Sequence, residues 1–132
     1  MQRFPFLPLP AALTVARVGT ALLFAVHAVV RIANGSIVQF GAFMESASFP
    51  NGVATVWLIT AAELIAAVLM IVRVAVRWAA AVLMAIAVGG IVLIHRHFGW
   101  FVGEHGTGGS EFSVALLLLL LVVAAADRRV QC

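Results

Sequence analysis

Lysine and tyrosine are absent from this chain of 132 residues, cysteine occurs once and acidic residues number five. Charged residues make up 10% of the sequence, where a soluble domain carries about 25%. That scarcity excludes an ordinary soluble domain. The one thiol, Cys132, has no partner for an intramolecular disulfide. No Cys-x-x-Cys pair exists either, so the chain alone is not a dithiol/disulfide catalyst. Its neighbours Val130 and Gln131 do not complete a prenylation signal. With no lysine, all eight basic residues are Arg, the net charge is +3, and these arginines sit at the ends of apolar runs. Such a distribution is a topology signal rather than a nucleic-acid patch, so no nucleic-acid partner is expected. Gly106, Gly108 and Gly109 do not form a phosphate loop, because no lysine follows and no strand precedes them.

What the chain has in excess is apolar residues, at 64%. One bilayer span needs about 20 of them, so four spans take about 80 and leave roughly 50 residues for tails and loops. No room is left for a soluble catalytic domain. Function must lie in groups inside the helices, on short loops, or in a partner. The spans are expected at about 11–32, 53–72, 74–94 and 111–126, in a single domain covering residues 1–132. The first follows Pro5, Pro8 and Pro10, the last suited to a first helical position. Arg17 interrupts this run, which continues past the length of a signal-peptide core without a small-x-small cleavage site, so it reads as a retained span. Ser110 and Glu111 lengthen the short fourth span, Ser110 as a helix cap and Glu111 at the positive helix end.

Arg3, Arg73, Arg77, Arg128 and Arg129 fall on one side of these spans, Arg31 and Arg96 on the other. This bias puts both termini in the cytoplasm and makes 33–52 and 95–111 the outer loops. The expected fold class is all-α, an integral membrane four-helix bundle crossing the cell inner (plasma) membrane several times, with membrane lipids as its surroundings. Trp100 and Phe101 suit an interfacial aromatic belt. The many alanines, with Gly89 and Gly90, read as close-packing helix surfaces.

Ionisable residues at membrane depth are costly and are expected to face the interior. In the first span Arg17, Phe24, His27 and Arg31 share one face about 80° wide at about 100° per residue. Glu63 lies near the middle of the second span, where an unpaired carboxylate costs several kcal/mol unless it is protonated or meets a cation. Arg17 is its most plausible partner. The pair then either holds two helices in register, or Glu63 carries protons or binds a ligand. His27, His95, His97 and His105 all fall in the outer part, accompanied by Glu104 and Glu111. His27, His95 or His97, and Glu111 can converge on one outward pocket able to hydrogen-bond a quinone-like carbonyl, shuttle protons or bind metal. The alternatives are a metal site from His95 or His97 with His105, a haem between His27 and His95, or polar residues capping helix ends without a ligand.

Arg17-x-Gly19 with Phe24 and His27, then Ala62-Glu63-Leu64, His95 closing the third span, and Gly108-Gly109-Ser110-Glu111-Phe112 opening a Leu-rich fourth resemble the DoxX family of small four-helix membrane proteins. The resemblance spans about residues 13–125. It implies a membrane subunit associated with oxidoreductase assemblies that are quinone-linked or handle thiol or oxidative stress. The matched positions are Arg17, His27, Glu63, His95 and Glu111. This chain departs from the family pattern at His27-Ala28 with Arg31, at Ala66-Ala67, and in the tail Asp127-Arg128-Arg129. The leading expectation is a subunit supporting electron transfer to or from the quinone pool. Quinone would be its cofactor, a protein partner would form the complex, and His27, Glu63, His95 and Glu111 would line an outward polar pocket. Its rivals are a non-catalytic accessory or anchoring subunit and a lipid or small-solute carrier. The carrier is disfavoured because no Pro interrupts a span.

Overall fold

The computed structural model describes residues 6–94, 99–100 and 110–127. All regular structure within them is helical: α1 (Leu9–Ala33), α2 (Ile37–Ser46), α3 (Gly52–Val72), α4 (Val76–Leu93) and α5 (Glu111–Ala126). By length and composition α1, α3 and α4 can each cross a membrane. α5 is equally apolar but has 16 residues, a rise of about 24 Å against a hydrocarbon core of about 30 Å. α1 packs on α3 and α5, and α4 packs on the same two helices, so the four close into a ring. Among the described residues there are five helices where four were expected. α2 stands in the segment expected as a loop, and at ten residues it is too short to register as a span. Its Ile37, Gly41 and Met44 nevertheless repeat at the i, i+4, i+7 spacing of a one-sided helix.

The interior is built from small side chains. On α1 the buried residues are Thr20, Ala21, Phe24 and Ala28, and on α4 Ala79, Ala80, Leu83 and Ala87 complete the same stripe. Leu58, Trp78 and Leu118 instead point outward and are exposed. Lipid tails are as apolar as leucine, so helices in a membrane associate through close van der Waals packing, which favours alanine at the interface.

α1 ends in a Schellman motif. Gly35 takes a φ of +63°, the Ser36 N–H donates to the Arg31 carbonyl at 3.2 Å, and the Gly35 N–H donates to that of Ile32 at 3.1 Å. The Ser36 hydroxyl donates to the same Arg31 carbonyl at 3.1 Å, which fixes the backbone at Arg31. α3 ends similarly, with the Val74 N–H on the Leu69 carbonyl at 2.9 Å. There the left-handed residue is Arg73, with φ 64°.

α1 and α3 run antiparallel and staggered. Arg17 reaches the carbonyls of Met70 and Ile71 in the last turn of α3, whereas Arg31 reaches Thr60 and Glu63 near its middle. α1 therefore projects about two turns, or about 12 Å, past the end of α3 and stops short of its beginning. α2 fills the vacated length of α3, with Ile37, Met44 and Val56 forming a small core of their own. Its backbone comes close enough that a Cβ on Gly52 would lie 1.9 Å from the Gly41 carbonyl oxygen. Glu45 Oε1 accepts the Gly52 N–H at 3.2 Å, a carboxylate placed at the positive end of α3.

Candidate functional site

Because α1 stops short, a cavity of about 800 Å³ opens among the helices, lined from α1, α2, α3, α4 and α5. Its walls are mostly apolar, with Leu23, Phe40, Met44 and Ile59 among them, and its polar groups are His27, Arg31, Thr55, Glu63 and Ser113. On the α4 wall Gly89 and Gly90 leave room where side chains would stand. A Cβ on Gly89 would meet nothing within 4 Å, so this glycine borders open space rather than a close helix contact, which corrects the sequence expectation. Gly89→Ala is accordingly expected to raise stability by about 1 kcal/mol through helix propensity alone. The check is the thermal midpoint in detergent, and a lowered midpoint would mean that α4 is tightly packed there.

The polar centre of the cavity is an ion pair. Arg31 Nη1 donates to Glu63 Oε2 at 2.7 Å and to Thr60 Oγ1 at 2.9 Å. Thr60 Oγ1 in turn donates to the Val56 carbonyl at 2.8 Å. The guanidinium carbon stands 5.6 Å from the centre of the Phe40 ring, a cation–π distance. Side-chain exposures of 11% for Arg31 and 2% for Glu63 make this a buried pair. Its strength depends on the exclusion of water.

The expected pairing of Glu63 with Arg17 is overturned by this geometry. Arg17 lies near the start of α1, level with the end of α3, where its guanidinium neutralises the exposed carbonyls of a helix C-terminus. Arg31 lies in the last turn of α1. Because Cα–Cβ bonds tilt toward a helix N-terminus, its long side chain leans back into the bundle toward Glu63. Sequence reasoning had treated Arg31 chiefly as a topology charge. The signal available was its place on the α1 stripe, together with Thr60 and Glu63 sharing a face of α3 at i, i+3.

His27 lines the same cavity as Arg31 and Glu63, one turn before Arg31. Glu111 lies in the first turn of α5. Its neighbours Phe112 and Ser113 line the cavity, and Glu111 is not among the lining residues. Ser110 caps α5 by position but makes no side-chain capping bond. Arg17 belongs to a separate cleft at the other end of the bundle. His95, His97, Glu104, His105 and the glycines 106, 108 and 109 lie outside the described residues. Among the described residues no group of three His, Cys, Asp or Glu side chains could hold a metal ion. The described lining of the cavity is largely apolar around a polar centre, with Phe40 and Met44 contributed by α2.

The DoxX family model matches residues 12–96, which cover α1 from its fourth residue, all of α2 to α4 and both members of the buried ion pair. Neither a curated protein nor a solved structure matches the chain. With apolar spanning helices and a family match over well more than half its length, the chain belongs to the DoxX family of membrane proteins.

Proposed function

We propose that this chain is a membrane subunit that supports a redox complex by holding a quinone in the cavity lined by α1 to α5. The observation that carries this reading is Arg31 inside an apolar cavity of about 800 Å³. An arginine has five N–H donors, and two from Arg31 are engaged among the described residues, both on Nη1. Glu63 balances the charge of Arg31, so the remaining donors suit a neutral carbonyl oxygen better than a carboxylate. A quinone joins such carbonyls to an apolar ring and tail, and the volume is within the range of small-molecule sites.

A bound quinone supplies the capacity to accept two electrons and two protons. The residues of the chain do the rest. Arg31 orients one carbonyl by donating to it, and Phe40, Met44 and Ile59 exclude water from the ring. The His27 imidazole, one turn away, can hold or pass a proton at a ring nitrogen. The redox centre that exchanges electrons with the quinone belongs to a protein partner. The arginine bias along the chain puts both termini in the cytoplasm, α5 is the fourth span, and the cavity opens in the outer half of the inner membrane.

The test is purification in mild detergent from native membrane, with mass spectrometry for retained quinone and co-purifying proteins, followed by titration with a short-chain quinone. Wild type is expected to retain or rebind quinone, and Gly89→Phe, which fills the cavity, is expected to lose it while keeping its thermal midpoint. Wild type that neither retains nor rebinds quinone overturns the proposal. That result favours the accessory reading, in which the Arg31–Glu63 pair serves only to set helix register.

A further inference from the structure

At the end of the bundle opposite the ion pair, a second cleft of about 390 Å³ lies between the first turns of α1, the α3–α4 turn and the end of α5. It exists because α1 overshoots α3, leaving Leu9–Ala16 without α3 alongside. Its apolar lining includes Leu13, Val123 and Ala126, and its charged lining is Arg17, Arg73 and Asp127, a net of one positive charge. Arg17 spends Nη1 on the Met70 and Ile71 carbonyls, which holds the guanidinium at this depth and engages none of its other nitrogens among the described residues. Arg73 is exposed and sits in a left-handed backbone conformation, φ 64°. Glycine would hold that position with less strain.

We infer that this cleft binds the headgroup phosphate of an anionic phospholipid between Arg17 and Arg73, with an acyl chain lying along Leu13 and Val123. The combination of two guanidiniums and apolar side chains lining one cleft at the end of a helix bundle suits a phosphodiester attached to a hydrocarbon tail. A zwitterionic lipid would bring its own cation close to Arg73, and a free phosphate would leave the apolar lining unfilled. The site is independent of the quinone cavity, since the two share no lining residue.

The experiment follows thermal unfolding of the full chain in neutral detergent during titration with short-chain phosphatidylglycerol, phosphatidylcholine of the same chain length, or inorganic phosphate. Phosphatidylglycerol is expected to raise the midpoint saturably, and the other two are expected to leave it unchanged. Arg73→Gln, at an exposed position where folding tolerates change, is expected to weaken the phosphatidylglycerol effect about five-fold. Asp127→Asn is expected to strengthen it. Equal protection by phosphatidylcholine, or no response to Arg73→Gln, overturns the site. Protection by inorganic phosphate to the same extent overturns the lipid and assigns the cleft to a free anion.

Discussion

Arg31→Met is expected to lower the stability of the bundle by about 3–5 kcal/mol, because it leaves the Glu63 carboxylate buried without its cation. The Arg31→Met/Glu63→Met double variant is expected to recover most of that loss, since two apolar side chains of similar volume suit an interior already lined by Met44 and Ile59. Denaturation of wild type, the two single variants Arg31→Met and Glu63→Met, and the double variant in mixed micelles, arranged as a double-mutant cycle, measures the coupling directly. Independent, additive losses would show that the 2.7 Å contact between Arg31 and Glu63 contributes nothing to folding. The same double variant separates the two functional readings. A folded protein that no longer binds quinone identifies the pair as a ligand-orienting group, whereas a folded protein with unchanged binding restricts it to helix register.

Gly52→Ala is expected to cost about 1–3 kcal/mol and to loosen α2 from α3. The added Cβ would stand 1.9 Å from the Gly41 carbonyl oxygen, a backbone atom that cannot rotate away. The helix must shift, and with it go the bond from the Gly52 N–H to Glu45 and the cavity wall made by Phe40 and Met44. Hydrogen exchange of α2 amides is the sensitive readout: they should exchange faster in Gly52→Ala while those at the middle of α3 stay protected. Unchanged α2 protection would mean that the two backbones do not approach so closely. The contrast with Gly89→Ala is the point of the pair. The same methyl group is harmful where two helices touch and harmless where a cavity begins.

The spans near 11–32, 53–72 and 74–94 were legible because apolar composition over about 20 residues is a local, additive property. The observed helices Leu9–Ala33, Gly52–Val72 and Val76–Leu93 differ from them by a few residues at their ends. α2 was not legible by that route. Ten residues are too few for a span, and its identity as a helix is secured by the Gly41–Gly52 contact, which joins elements whose adjacency no single segment encodes. The candidate site was half legible. His27 and Glu63 were recognisable as costly groups inside apolar runs, and both line the cavity, whereas Glu111, expected to converge with His27, is not among its lining residues. The partner of Glu63 depends on the stagger of α1 against α3, which neither helix encodes by itself. An offset of a few turns exchanges Arg17 for Arg31.

Sequence alone thus determined that this is an all-helical membrane protein of the DoxX family carrying ionisable groups in its spans, since hydrophobicity and motif order are read along the chain. Tertiary structure alone decided which arginine meets Glu63, that the pocket is apolar around that pair, and that Gly52 rather than Gly89 is the close contact. Those outcomes are set by relative helix displacement, whose energy comes from contacts between residues far apart in the chain.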